Sequence, residues 1–550
     1  MGAATLISRV MGLVREQVFA VLFGAGVATD AFNIAFRIPN LLRDLFAEGA
    51  MSSALVPTFT RVRKEEGEAR AWRIAGLVFR VLFVLVGVLA LVGIFFSPSL
   101  VGLYADAFRE VTGKFELTVL MTRVLFPFFP LVALAAAFMG ILNACGKYFV
   151  PAFASALFNL ASVASGVLLA LALSRGWFSG LGAVGELPPI VGMAVGVVVG
   201  GLVQAFSQFP LLRKVGYRFP AVLPSDPPWY REPALRRMLA LMVPGTLGLA
   251  ATQVNVLVNS VLATSQGTGA VSWLGYAFRL MQFPIGVFGV SLAAATLPRL
   301  SALWVEKDVR GVADQLARSL RQTIALNLPA SAGLVFLGAP IVELLFQYGK
   351  FNLADTAATA RALAAYALGL AAYSAVKVLV PACYALGRTR LAVVASAVTV
   401  GITIALNLAM IGPFGFVGLA LGTSLAALAN AVLLLLALRR ALGPEAGAAL
   451  DWRTGWGNFF FKQLLASLAM GLFCAAMHRG LGTVLSEDLA VLLLGLPGLV
   501  ILRASKVAIC VLAGILALGF LARTWNLRET AEVFELFSRK LKNRVRGPAK

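Results

Sequence analysis

The chain has 550 residues, 60% of them hydrophobic and 13% charged, where an ordinary soluble domain carries about 25% charged residues. This excludes a soluble globular protein. With 53 glycines it points to closely packed membrane helices, in which small residues let backbones approach.

Spans of about 20 residues are predicted at 3–24, 28–60, 74–97, 115–142, 148–174, 188–212, 235–264, 270–299, 320–342, 356–386, 390–411, 414–438, 460–480 and 503–523, fourteen in all. Arg9, Arg15 and Glu16 interrupt the first, breaking up what would otherwise be the apolar stretch of a signal peptide. Alternate connections are basic: 61–73 holds Arg61, Arg63, Lys64, Arg70 and Arg73, and 299–321 holds Arg299, Lys307, Arg310, Arg318 and Arg321. The loops 24–28, 264–270 and 411–414 hold no Lys or Arg. The net charge of +22 is thus read as positive-inside loops rather than a nucleic-acid surface, and both termini are expected in the cytoplasm. The stretch 488–502, broken by Gly-Leu-Pro-Gly, is expected to be interfacial or re-entrant, and 525–546 a basic amphipathic helix on the membrane surface.

The sequence repeats itself. "AFRIPNLLRDLFAEGAMSSALVPTF" (35–59) resembles "AFRLMQFPIGVFGVSLAAATLPRL" (277–300), so Arg37 matches Arg279. "ACGK…ASAL" (144–157) matches "ALGR…ASAV" (385–398), and "VGMAVG" (191–196) matches "VGLALG" (417–422). Six spans separate the copies, an even number, so the copies share one orientation, as in a parallel repeat about an axis along the membrane normal. The expected architecture is all-α and polytopic. An N-lobe (1–215), a cytoplasmic linker (216–234) and a C-lobe (235–440) form two six-helix lobes around a central cavity. Two unduplicated helices (441–523) and a basic tail helix (524–550) follow.

Cys145, Cys383, Cys474 and Cys510 show no CxxC spacing, and His478 is the lone histidine. This argues against disulfides, zinc and His-based catalysis. There is no GxxxxGK[ST] to cradle a nucleotide. No metal or cofactor is therefore expected, and these motifs assign no covalent chemistry to the chain.

The informative residues are charges inside spans, each costing about 2.5–3.5 kcal/mol at a bilayer centre. Asp30, Asn33, Arg37, Asn40 and Asp44 recur every three or four residues and form one helix stripe. Glu48 extends the stripe, Arg43 flanks it, and Pro39 should bend the helix. Such a stripe is expected to line an aqueous cavity, joined by Arg9 and Arg15 on the first span, Arg279 on the eighth and Lys377 on the tenth. A purely structural reading pairs Asp30 with Arg37 and Arg43 with Glu48. A functional reading gives the spare arginines an anionic guest, since guanidinium forks match phosphate and carboxylate oxygens. Asn255, Asn259 and Asn407 fit either ion ligands or helix–helix hydrogen bonding.

The string "SRVMGLVREQVFAVLFGAGVATDAFNIAFRIPNLLRDLFAEGAMSSALVPTF" (8–59) closely resembles the start of the MurJ family of lipid II flippases. "VSWLGYAFRLMQFPIGVFGVSLAAATLPRLS" (271–301), "AVKVLVPACYALGRTR" and "NLAMIGPFGFVGLALGTSLAALANA" resemble its eighth and tenth to twelfth helices. That family belongs to the MOP superfamily, with the MATE exporters and polysaccharide flippases. The resemblance implies a MATE-like fold in the bacterial inner membrane and lipid II as substrate. It implies Arg9, Arg15, Arg43 and Arg279 near the substrate pyrophosphate, with Asp30 and Glu48 at acidic positions also implicated. It leaves Arg37 and Lys377 as secondary candidates. The last two spans would form a groove for the lipid tail, and cell-wall synthesis proteins are candidate partners. Transport would alternate between inward- and outward-facing states under the membrane potential, with sodium or chloride sites proposed in some members. Two features depart from the family: Phe278 stands where an acidic residue often precedes the helix-eight arginine, and only eight residues precede Arg9. The rival readings are a polysaccharide-unit flippase, a cation-coupled multidrug exporter and a non-transporting scaffold for cell-wall enzymes.

Overall fold

The computed structural model describes residues 2–45, 49–184, 186–218, 229–451, 456–485, 487–532, 534 and 535. It is 88% helical, with no strand among the described residues. Contacts divide the chain into two compact units, Met1–Ser272 with Tyr348–Phe351, and Trp273–Gln347 with Asn352–Lys550.

The first unit holds α1 (Gly2–Phe23), α2 (Val27–Arg43), α3 (Gly49–Glu65), α4 (Glu68–Phe95), α5 (Ser97–Ala105), α6 (Lys114–Leu125), α7 (Phe128–Ala144), α8 (Phe149–Ser174), α9 (Ile190–Phe206), α10 (Phe209–Lys214) and α11 (Pro233–Thr264). Large apolar side chains fill it in separate clusters. One joins Phe59, Trp72, Phe79, Phe138 and Tyr217, with the Phe59 and Trp72 rings 5.2 Å apart. Another joins Phe19, Phe32, Phe128 and Met193. A third joins Ile34, Tyr104, Phe108 and Phe126. The helix α11 packs against α3 and α5 and falls in the first compact unit. The single span expected at 28–60 is described as two helices, α2 and α3, with 46–48 between them outside the described residues.

The second unit takes up α12 (Ala270–Pro284) from Trp273, and continues with α13 (Val290–Val305), α14 (Val309–Phe336), α15 (Gly338–Phe346), α16 (Leu353–Ala367), α17 (Leu370–Ala385), α18 (Thr389–Phe414), α19 (Phe416–Leu442), the short α20 (Pro444–Gly447), α21 (Gly457–Val484) and α22 (Glu487–Thr524). A π-helical turn, Ile285–Gly289, joins α12 to α13 directly after Pro284. Pro284 lacks an N–H, so the ladder must shift there. The pairs α14–α15 and α16–α17 are bent by 71° and 45°. The helix α22 is kinked at Gly495 (φ 64°, ψ −152°), two residues before Pro497. The break thus falls in the Gly-Leu-Pro-Gly motif, but residues 496–502 continue into the long span Gly495–Thr524 instead of lying apart from it. Most of the expected tail helix, 536–550, lies outside the described residues.

One packing device occurs in both units. A Cβ on Gly196 of α9 would sit 2.6 Å from Gly166 Cα and from the Ser162 carbonyl oxygen of α8. A Cβ on Gly418 or Gly422 of α19 would collide with Met410 or Asn407 of α18. These glycines occupy matching places in the repeated motifs at 191–196 and 417–422, and permit backbone-to-backbone crossing.

Among the described residues, nine helices or helix runs are long and apolar enough to cross a membrane, or up to eleven if each bent pair counts as one span. The predicted spans 3–24, 28–60 and 235–264 are not among them. Arg9, Arg15 and Glu16 crowd α1, and α2 has 17 residues including Asp30, Arg37 and Arg43.

Candidate functional site: buried charge on the first two helices

Arg15 projects from α1 and is half-buried. Its Nε and Nη2 donate to Glu16 Oε1, both at 3.3 Å, long for charge-assisted bonds. Its guanidinium lies 6.0 Å from the centre of the Phe158 ring. Arg43, at the end of α2, donates from Nη2 at 2.9 Å and Nε at 3.2 Å to Asp44 Oδ1. The other Asp44 oxygen accepts from Gln253 Nε2 at 3.4 Å. Both arginines thus reach a carboxylate on the adjoining residue, although neighbours i and i+1 point to different sides of a helix.

Asp30 is 0% exposed and accepts four hydrogen bonds from three residues. Lys114 Nζ donates at 2.9 Å. The Gly269 N–H donates at 2.7 Å, the Ser272 N–H at 3.0 Å and the Ser272 hydroxyl at 2.7 Å. Lys114 is 1% exposed, with its ammonium 4.0 Å from the centre of the Phe108 ring. The expected Asp30–Arg37 pair is therefore replaced by Asp30–Lys114. Arg37 is exposed and donates from Nη1 to Ser260 Oγ at 3.2 Å. The stripe divides: its first turn is sealed, and Arg37 is open. In this state Asp30 is enclosed, so it is out of direct reach of a ligand. Glu48 and the side chain of Arg9 lie outside the described residues, and with Glu48 the expected Arg43–Glu48 pair.

In the second unit Arg279 is half-buried on α12, and Lys377 is exposed on α17. Phe278 packs its ring on Tyr366, with centroids 5.4 Å apart. Sequence reasoning missed Asn327. It is 0% exposed, accepts from Ser374 Oγ at 2.8 Å and donates to the Thr323 carbonyl at 2.9 Å. It also missed Arg503, which binds Glu343 at 2.9 Å and Glu487 at 2.8 Å. Of the three asparagines singled out in the sequence, Asn259 donates to Asn255 at 3.3 Å and Asn407 is 0% exposed. Among the described residues no cluster of His, Cys, Asp and Glu suits a metal ion.

The fold places the chain in a class. It is similar to a solved lipid II flippase MurJ in an inward closed conformation, at 24% identity and a TM-score of 0.73, covering 95% of this chain and 98% of that one. It is also similar to an inward-facing multidrug resistance MATE family transporter of the MOP superfamily, at 17% identity and a TM-score of 0.63, covering 81% and 96%. The class is thus a multi-pass helical membrane protein with the MOP transporter fold. The family model described as lipid II flippase MurJ matches residues 19–492. The lipid II flippase MurJ of Burkholderia cenocepacia is 35% identical over 466 residues, 85% of this chain and 86% of that protein. The probable lipid II flippase MurJ of Vibrio cholerae is 34% identical over 522 residues, 93% and 95% of the two chains. The chain belongs to the MurJ lipid II flippase family.

Proposed function

We propose that this protein carries lipid II from the inner to the outer leaflet of the bacterial cytoplasmic membrane by alternating access. Fourteen spans cross the bilayer, made up of the long apolar helices, the two bent pairs, and α1, α2–α3 and α11. Both termini are cytoplasmic. Arg15, Arg43 and Arg279, with Arg9, bind the pyrophosphate, and Glu48 tunes that charge. Arg37 and Lys377 offer secondary contacts to the headgroup. The lipid tail runs along α21 and α22.

The observation that supports this most is the charge on α1 and α2. Arg15 reaches Glu16 only at 3.3 Å, long for a charge-assisted bond. A pyrophosphate would accept from the guanidinium forks of Arg15 and Arg43. A charge moved fully across the membrane gains about 2.3 kcal/mol per 100 mV, so an inside-negative potential can reset the empty carrier without nucleotide. A drug exporter would instead require an apolar or acidic chamber.

The test is growth of a strain depleted of its own lipid II flippase. Alanine at 15, 43 or 279 should abolish rescue while the protein still accumulates. Rescue by all three variants would refute the arginine reading, and loss of cationic dye resistance alone would favour an exporter.

A further inference from the structure

We propose that Lys114 is a positioning residue for transport: through Asp30 it fixes the first turn of α12 and so the bearing of Arg279. This rests on the reading of Arg279 as a pyrophosphate ligand.

The first N–H groups of a helix have no partner inside it and form the positive end of its dipole. The residue before α12 is Gly269, which has no side chain to cap it. Asp30 supplies the cap from α2. Its carboxylate accepts the Gly269 N–H at 2.7 Å, the Ser272 N–H at 3.0 Å and the Ser272 hydroxyl at 2.7 Å. Asn33, one turn on, donates to the same hydroxyl at 3.3 Å.

A carboxylate with 0% exposure is costly to bury unless it is both paired and hydrogen-bonded. Lys114 provides the counter-charge at 2.9 Å. The lysine is itself held, with its ammonium over the Phe108 ring at 4.0 Å and its backbone carbonyl bound by the Thr118 hydroxyl at 2.7 Å. A line of fixed groups therefore runs from Phe108 through Lys114 and Asp30 to the start of α12. That helix continues to Pro284. Arg279 lies about two turns past Ser272, on the same face, so it inherits the direction set at the first turn.

A lysine that merely stabilised the fold would act alike with or without Arg279, and this difference is measurable. Lipid II affinity and thermal unfolding are read on purified full-length wild type, K114M, R279A and K114M/R279A. R279A is expected to bind about tenfold or more weakly. K114M is expected to bind several-fold more weakly, and K114M/R279A no more weakly than R279A alone. Lys114→Arg, which keeps the charge, should restore most of the K114M loss. The swap Asp30→Lys with Lys114→Asp keeps an ion pair but puts an ammonium on the helix N-terminus, and should restore nothing.

An equal K114M loss in both backgrounds, or full rescue by the swap, would overturn the proposal alone. Unchanged affinity in R279A would overturn the arginine reading and the proposal together. Should K114M fail to accumulate, D30N/K114M leaves no lone buried charge. The same comparison with and without Arg279 then decides.

Discussion

Arg15→Ala separates a structural arginine from a substrate-binding one. The Arg15 and Glu16 side chains are 16% and 11% exposed, and their contact is 3.3 Å. A bond that long between adjoining residues of one helix contributes about 1 kcal/mol or less to stability. Thermal unfolding of so large a chain should then shift by less than about 2 °C. A charge-assisted bond to pyrophosphate is worth about 1.5–3 kcal/mol, or about 10- to 150-fold in Kd. The two quantities differ enough to be told apart in one preparation. Purified wild type and R15A are titrated with lipid II in detergent, and both are melted under the same conditions. The expected outcome is a Kd weakened by at least about tenfold with a nearly unchanged unfolding temperature. An unchanged Kd would refute the reasoning, as would a collapse of the unfolding temperature that accounts for the lost binding.

Gly196→Ala should destabilise the α8–α9 crossing by about 1–3 kcal/mol, because its Cβ would meet backbone that cannot retreat. Gly401→Ala on α18, where a Cβ meets nothing within 4 Å, should be neutral or stabilising in the same melt. Removing Arg503 as R503M strands Glu343 and Glu487, whose side chains are 28% and 34% exposed. The expected cost is about 1–3 kcal/mol, below that of a fully buried pair because both carboxylates stay partly wet. An unchanged unfolding temperature would dismiss the cluster as a clamp on α15 and α22. Cys145 is the one partly exposed cysteine, Cys383, Cys474 and Cys510 being buried, and burial raises its thiol pKa. A membrane-impermeant maleimide should label it in inverted vesicles but not in intact spheroplasts, faster as pH rises toward that raised pKa, because the thiolate reacts. Labelling in spheroplasts would contradict the proposed orientation.

What could be read from the sequence was what local chemistry fixes. Proline and glycine mark the break at Gly495 by their own backbone limits. The glycines of "VGMAVG" and "VGLALG" announce close crossings wherever they fall. Spacing placed Asp30 through Asp44 on one face. It could not say which residue from elsewhere would meet that face. Lys114 lies 84 positions from Asp30 and looks like the polar edge of a span, so the buried pair was invisible. Arg37, on the same helix as Asp30, seemed the better partner and proved to be exposed. Asn327 hid for the same reason, since an amide in an apolar run reveals nothing of Ser374 on another helix.

The central claim is movement of lipid II between leaflets, and it is tested most directly by the appearance of labelled lipid II on the outer leaflet. Membranes are loaded with labelled lipid II on the inner leaflet, and outer-leaflet lipid is scored by an impermeant reagent. The comparison is between membranes lacking this protein, membranes containing it, and membranes containing its Arg15→Ala, Arg43→Ala and Arg279→Ala forms. The account predicts outer-leaflet lipid II only with the wild-type chain, at a rate that rises with an inside-negative potential. Equal accessibility with and without the protein, or undiminished accessibility in all three variants, would contradict it.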